Sequence, residues 1–503
     1  MLTFFFLRPT IETSDSNLPK VIAFSDATRN GNAVQPRLGS AMDSFMSYLL
    51  FWQDTIDHCQ SAEVNDTLLD HFQVLFLEQL LYPSLLESSD VEGGSTSAVL
   101  TYLCRILESL EQPDLVYRIL HFLLASPSNV DSLPPSTKSN ADPKVSLSRR
   151  KSIDALNALT TESTHPSPSL FNLRDLVLLG LQSSNEQTAL ATLRLLVVVL
   201  HYHPSFAGLL IRTMPDRPGK QRSVGAINAE LRHLLPTGLL MVSDPTLDAS
   251  YDNYLKDASW TIESRLCFLN DDFHPPLQLR EDDPIMRELL GYLENFFTSS
   301  VAINLSLTEV LVSIASSPLI SLDGWILVDP AKYIYDVESK KQITTTPVLH
   351  QIRLAYQQPR WDSTPVLAAV LQNLVSRVQR WRDEVPDFDL LIIARRNLLL
   401  DVPNADQELE MGTMRASSDE QPPSPSQTRD ISSPPAQTQS PQTDLGTRLS
   451  KPFSTTENGE GQATLGHALT NIVLLYEFLL ELTAVVQVRS ILLEEAGYPD
   501  VKP

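Results

Sequence analysis

The sequence predicts an all-α fold, an α-solenoid of stacked helical hairpins of the armadillo/HEAT kind with long disordered insertions. Residues Asp283–Ser317 predict one hairpin most clearly. Asp283 can cap a helix, and Pro284 suits the first turn because its missing N–H needs no partner there. Two apolar stripes at helical spacing follow, separated by polar residues 298–300. Each stripe covers about a third of its helix, so the pair needs neighbours on both sides.

Helical stripes of the same kind recur on both sides of this hairpin. Residues Phe45–Ile56 carry an apolar face that we expect to include Tyr48 and Trp52. Residues Leu190–Leu200 are apolar over nearly the whole helix circumference, which predicts a central helix. The pair Thr364-Pro365 repeats the cap-then-proline start. Short polar turns between such stripes are typical of helical hairpins.

The pattern divides the chain into six parts. We predict a weakly patterned N-terminal segment at 1–40, helical repeats at 41–125, a disordered loop at 126–169, further helical repeats at 170–403, a disordered linker at 404–462, and a C-terminal helix within 463–503. The loop and the linker are rich in Pro, Ser and Thr. Their few large apolar residues cannot offset the backbone entropy of ordering, about 1–2 kcal/mol per residue.

Candidate phosphorylation sites lie in the two segments that we predict to be disordered. Ser152 follows Arg149-Arg150-Lys151, an arrangement that basophilic kinases favour, although a solvated charge cluster explains the same residues. Ser424, Ser433 and Ser440 each precede proline and are candidate targets of proline-directed kinases. A phosphate on Ser152 would partly cancel the local positive charge.

The C-terminal helix is predicted from the dense apolar stretch Leu469–Leu493. We expect this helix to dock on the solenoid, because its apolar face would otherwise be a large exposed patch. The docking residues share one helical stripe: Leu475, Phe478, Leu479 and Leu482. Glu477 and Glu481 leave that stripe and are expected to face outward. They also disfavour a transmembrane span, because a carboxylate near a bilayer centre costs about 2.5–3.5 kcal/mol.

The charge balance excludes a general nucleic-acid-binding surface. The chain carries 38 Lys and Arg against 61 Asp and Glu, a formal net charge of −23. Binding to phosphate backbones needs clustered Lys and Arg in excess. The acidity instead suggests solubility, with local patches for partners.

The sequence contains no recognisable catalytic, cofactor or metal motif. Gly-rich phosphate loops, HExxH, paired CxxC and GxSxG are all absent. His201 and His203 lack a nearby third metal ligand. The carboxylate clusters Asp271-Asp272 and Glu281–Asp283 flank helix starts, where we expect them to be solvated caps. The three cysteines, Cys59, Cys104 and Cys267, are far apart and are expected to be reduced core thiols.

Several stretches resemble one known family, and they occur here in that family's order. They are FMSYLLFWQDTIDHCQ, FLEQLLYPSLLESS, LTYLCRILESLEQPDLVYRILHFLLA, TALATLRLLVVVLHYHP, DPIMRELLGYLENFFTSSVAINLSLTEVLVSIASSP and NIVLLYEFLLELTAVVQVRSILL. Together they are similar to the FTS and Hook-interacting proteins, the large subunit of the FTS–Hook–FHIP complex, which carry a retinoic-acid-induced-protein-like domain. The resemblance covers about half of the chain. It departs at residues 1–40, where family members have further helical sequence, and we therefore expect a truncated or divergent start.

The resemblance implies a non-enzymatic α-solenoid adaptor without a cofactor. In that family the subunit joins a Hook-type coiled-coil protein, which activates dynein, and a small FTS-like partner related to ubiquitin-conjugating enzymes. An endosomal Rab GTPase connects the complex to early endosomes, so the implied location is cytoplasmic and peripheral on these membranes. Two alternatives remain: a helical-repeat scaffold of another trafficking complex, and a GTPase regulator whose catalytic Arg or Gln leaves no motif.

The linker supplies a first prediction. Deleting Glu420–Thr447 should leave the melting temperature nearly unchanged, because a disordered segment contributes no buried surface to lose. Differential scanning calorimetry of the deleted and full-length chains measures this directly. A drop of many degrees would show that the segment is packed.

Overall fold

A computed structural model gives the fold of this chain. It describes residues 36–89, 95–124, 171–215, 222–242, 247–267, 277–280, 282–335, 355–400, 448–450, 452–454, 462–493 and 495–497. The predicted loop at 126–169, residues 404–447 of the predicted linker, and the acidic pair Asp271-Asp272 lie outside the described residues. So do the four candidate phosphorylation sites, Ser152, Ser424, Ser433 and Ser440.

The described chain is mostly helical, which confirms the predicted all-α class. In chain order the helices are α1 (Pro36–His58), α2 (Ala62–His71), a π-helical stretch (Phe72–Leu81), α3 (Tyr82–Glu87), α4 (Ser95–Ser109), α5 (Pro113–Leu123), α6 (Leu173–Leu181), α7 (Glu186–Tyr202), a 3₁₀ turn (Pro204–Phe206), α8 (Ala207–Leu210), α9 (Val224–Leu239), α10 (Leu247–Cys267), α11 (Pro284–Glu294), α12 (Val301–Ala315), a 3₁₀ turn (Pro330–Lys332), α13 (Val366–Glu384), α14 (Phe388–Leu400) and α15 (Leu465–Leu492).

Short strands tie distant loops together. They are β1 (Thr213–Pro215), β2 (Arg222–Ser223), β3 (Leu277–Leu279), β4 (Pro452–Ser454), β5 (Gln462–Thr464) and β6 (Ala496–Gly497). β1 pairs with β3 and β4 with β5 in antiparallel fashion, whereas β2 and β6 are parallel. β4 falls within the predicted disordered linker at 404–462, and β5 begins at its last residue. Phe453 accounts for the difference, because its ring packs edge-on against Trp381 at 5.3 Å.

The predicted hairpin at Asp283–Ser317 is confirmed as α11 and α12. The Asp283 side chain accepts a hydrogen bond from the Met286 N–H, and Pro284 occupies the first turn. Ser300 caps α12 in the same way, by accepting from the Ile303 N–H. These caps fix where the helices begin because each satisfies a backbone donor that has no partner within its helix.

Two local predictions need correction. Tyr48 is 62% exposed, although the α1 pattern placed it on the apolar face. The face of α1 that packs against the π-helical stretch is narrower than predicted. On that face the Phe45 ring stacks on Phe76 and the Trp52 ring contacts Phe72. α13 begins one residue later than the Thr364-Pro365 pair suggested, with Pro365 as the N-cap rather than within the first turn.

The core is built by long helices that pack side by side. α4 lies against α7, α7 against α12, and α12 against α15. α7 buries eleven of its seventeen residues, which confirms the predicted central helix. A second set of helices covers these, with α11 packed against both α6 and α13, and α13 against α9.

α15 lies inside the body of the protein. It packs against α9, α10, α12 and α14, and 21 of its 28 residues are buried. The four residues of the expected docking stripe, Leu475, Phe478, Leu479 and Leu482, are at most 2% exposed. By length and hydropathy α15 would pass as a membrane span, but 83% of its apolar window is buried within the protein. Its apolar character therefore has an explanation in helix packing.

One buried arginine fixes α15 to the end of α12. Arg489 is fully buried, and its Nη1 donates to the carbonyl oxygens of Ala315 at 2.5 Å and Ser317 at 2.9 Å. Its Nη2 donates to the Ile320 carbonyl at 2.9 Å and to Glu495 Oε1 at 2.5 Å. The last carbonyls of a helix have no intrahelical donor, so this guanidinium supplies what the end of α12 lacks.

Replacing this arginine should destabilise the fold strongly. Arg489→Met keeps the aliphatic volume but leaves three carbonyls and Glu495 without their donor, so we expect a loss of about 3–5 kcal/mol in the free energy of unfolding. Urea denaturation measures the loss. Arg194→Met is the matched control, because Arg194 is 64% exposed and its pair with Glu108 should contribute at most about 1 kcal/mol. Equal losses in the two variants would contradict the prediction.

Candidate protein-binding surface

The outer edge of α15 carries two carboxylates one turn apart, and the first of them is fully paired. Glu477 Oε1 lies 3.2 Å from Arg396 Nη2, and Tyr254 donates its hydroxyl to Oε2 at 2.8 Å. Arg396 also lies over the Tyr476 ring. Glu477 is therefore partly buried and links α15 to α10 and α14, whereas the sequence placed it facing outward.

The second carboxylate, Glu481, has a different environment. It is also partly buried, and it has no hydrogen bond or ion pair to any residue that the structure describes. Burial, together with the negative charges of Asp257 and Glu309, raises the pKa of Glu481 to about 7. Asp257 is exposed on α10 and Glu309 is exposed on α12. The carboxylates of Asp257 and Glu309, from two other helices, are thus within electrostatic reach of Glu481.

Exposed apolar side chains flank these carboxylates. Trp260 is 73% exposed and lies one turn after Asp257, on the same face of α10. Leu305 is 51% exposed and lies one turn before Glu309 on α12. We call the five residues Asp257, Trp260, Leu305, Glu309 and Glu481 the acidic-aromatic surface. Sequence periodicity did not reveal this surface, because its members come from three helices far apart in the chain.

Elsewhere, buried charges are tied to internal partners. Arg222 is paired with Asp323 and donates to the Val328 carbonyl at 2.8 Å and to the Tyr333 hydroxyl at 3.0 Å. Glu230 accepts from the Val328 N–H at 2.8 Å and from the Tyr333 hydroxyl. Burial raises the pKa of Glu230, which Arg222 opposes. These contacts clamp the start of α9 to the loop that follows α12, a structural role.

Asp283 is a buried ion-pair partner as well as a cap. The sequence placed it among solvated caps, but it is fully buried. Its carboxylate is paired with Arg174 of α6 and accepts from the Arg212 N–H at 2.9 Å. The buried arginine and the backbone donor replace the water that we expected around this carboxylate.

His201, in the last turn of α7, lies beside a buried arginine. Arg265 donates through Nη1 to the Ser313 carbonyl at 2.8 Å, and its Nη2 lies 3.0 Å from His201 Nδ1. Burial and the charge of Arg489 lower the pKa of Arg265 to about 10, and burial lowers the pKa of His203. Within the described ranges, no three His, Cys, Asp or Glu side chains are grouped so that they could hold a metal ion.

The cysteines differ in their surroundings. Cys104 is a free, buried thiol whose pKa is raised by burial, whereas Cys59 is free and partly exposed. The side chain of Cys267 lies outside the described residues. A protonated, buried thiol such as Cys104 is a packing residue and a poor nucleophile.

Two family models match the chain. Residues 8–181 match RAI16-like, the retinoic acid induced 16-like protein family, and residues 282–402 match DUF5917, a family of unknown function. The first match spans α1 to α6, and the second begins at the predicted hairpin and ends after α14. No curated protein and no solved structure matches the chain. The chain is thus a mostly helical protein in which residues 8–181 are similar to the RAI16-like family.

The two carboxylates of α15 differ in their partners, so replacing each by glutamine should change the free energy of unfolding at pH 8 in opposite directions. The folded chain holds a proton on Glu481 between the ordinary pKa of about 4.5 and the raised value of about 7, whereas the unfolded chain does not. Stability from this group is therefore lost as pH rises through that window. Glu481→Gln should raise the free energy of unfolding by about 1–3 kcal/mol at pH 8 and by much less at pH 5.

Glu477→Gln is the matched variant, because it removes an equal charge from the same helix. It should destabilise the protein at pH 8, since Arg396 would lose its carboxylate partner. Urea titrations at pH 5 and pH 8 compare the two variants with the natural chain. Destabilisation by Glu481→Gln at pH 8 would show that Glu481 has a partner after all.

Proposed function

We propose that this chain is a non-enzymatic adaptor subunit of an FTS–Hook–FHIP-like complex that links Hook dynein adaptors to early endosomes for microtubule-based transport. The match of residues 8–181 to the RAI16-like family carries the proposal. In this role the chain is cytoplasmic and peripheral on early endosomes. Its partners are a Hook-type coiled-coil protein, an FTS-like ubiquitin-conjugating-enzyme-like protein and an endosomal Rab GTPase.

We further infer that the helices form an α-solenoid. The successive packing of α4, α7, α12 and α15 supports this arrangement. α12 and α15 also run in the same direction, since His467 lies 3.0 Å from the Ser299 carbonyl at one end and Arg489 reaches Ala315 at the other. Stacked helical hairpins place equivalent helices parallel to each other, as α12 and α15 are. Such arrays present extended surfaces on which several partners can bind.

The placement of the charged side chains agrees with a binding role. Arg222, Glu230, Asp283 and Arg489 are buried and satisfy carbonyls, amides or opposite charges of the chain itself. Their geometry holds loops and helix ends in place, as a rigid scaffold requires. The acidic-aromatic surface, by contrast, presents Asp257, Glu309 and Trp260 to solvent.

Affinity purification of the tagged full-length chain from cells tests the adaptor proposal. We expect a Hook coiled-coil protein and the FTS-like partner to be recovered in stoichiometric amounts. Arg194→Met serves as a control chain that retains the fold, and the tag alone reports background. Recovery of neither partner in stoichiometric amounts would refute the proposal.

A further inference from the structure

We propose that the acidic-aromatic surface of Asp257, Trp260, Leu305, Glu309 and Glu481 is a docking site for a basic, amphipathic segment of a partner protein. This inference does not depend on the adaptor proposal. The surface would bind such a segment whichever complex the chain joins.

The electrostatics of the surface favour a cationic ligand. The charged neighbours that act on Glu481 are both negative, Asp257 from α10 and Glu309 from α12. Arg194 is within electrostatic reach of Glu309, but it is already paired with Glu108 at 2.9 Å. Lys256 is exposed on α10 beside Asp257. Lys256 alone does not balance the exposed carboxylates of Asp257 and Glu309 together with Glu481, so a lysine or arginine from outside would relieve the repulsion among them.

The apolar side chains of the surface indicate that its ligand is partly apolar as well as basic. Trp260 is the most exposed large apolar side chain among the described residues. An indole face binds ammonium and guanidinium groups, and buried tryptophans are common anchors of protein interfaces. Leu305 offers a second apolar contact on the neighbouring helix. A segment that alternates basic and apolar side chains would therefore satisfy both the carboxylates and the exposed rings.

Other occupants fit the surface less well. A second copy of this chain would bring the same carboxylates to a two-fold interface, where like charges repel. Nucleic acid and anionic membrane surfaces would be repelled as well, and the net charge of −23 adds to that repulsion. A basic protein segment is attracted by both the local and the overall charge.

A peptide-binding experiment with the full-length chain tests the proposal. The probe is a fluorescent amphipathic peptide in which Lys and Leu repeat at helical spacing, and the reference probe carries Glu in place of Lys. Binding is measured by fluorescence anisotropy at low and at physiological salt. We expect the Lys peptide to bind and the Glu peptide not to bind.

Paired variants localise the binding. The double variant Asp257→Asn/Glu309→Gln should weaken binding about tenfold at low salt, and by less at physiological salt. Trp260→Ala should weaken it about two- to fivefold. The matched controls are Asp43→Asn/Asp57→Asn, which removes the same charge from exposed positions of α1, and Tyr48→Ala, which removes an exposed aromatic ring there. All of these positions are exposed, so unfolding midpoints should stay unchanged.

Two outcomes would overturn the proposal. If the α1 controls weaken binding as much as the surface variants, the peptide is held by net charge alone. If analytical ultracentrifugation shows a dimer that Trp260→Ala dissociates, the surface is occupied by a second copy instead. Site-specific loss of peptide binding, in a chain that is monomeric, supports the docking site.

Discussion

The guanidinium of Arg489 is the contact on which the arrangement of the core depends. α12 ends inside the protein, and a buried helix end needs donors for its last carbonyls. Arg489 of α15 supplies a donor at Ala315 and also binds the Ser317 and Ile320 carbonyls just beyond the helix, and Arg265 of α10 supplies a donor at Ser313. α10, α12 and α15 are thereby joined at one end. The two arginines thus add to the Ser316 hydroxyl, which donates to the Val312 carbonyl at the same end.

Apolar burial explains why the C-terminal helix belongs to the body. Closing a connection of about sixty residues costs only a few kcal/mol, because the entropy term grows with the logarithm of length. Burying a single Leu, Phe or Val side chain contributes about 1.5–3 kcal/mol, and α15 buries many of them on all sides. A helix that is apolar around most of its circumference is most stable in the interior of the protein, with its few polar side chains at the outer edge.

Glu481 differs from other carboxylates near the core in its electrostatic surroundings. Two other carboxylates near the core are matched, Glu477 by Arg396 and Asp283 by Arg174. Glu481 instead lies between two further carboxylates and is partly removed from water. Natural proteins keep such unfavourable local arrangements where function requires them. A partner that supplies the missing positive charge would stabilise the folded chain as it binds.

Local interactions explain what the sequence determined by itself. The helix starts at Asp283 and Ser300 were predictable because a cap satisfies donors two or three residues away, and the central position of α7 followed from its all-round apolar pattern. The all-α class and the burial of Leu475 and its stripe needed only helical periodicity. The tertiary structure alone decided that Asp283 is buried against Arg174, that Tyr48 is exposed, and that Glu481 meets Asp257 and Glu309. Each of these outcomes depends on a residue far away in the chain, and periodicity carries no information about which distant helix becomes the neighbour.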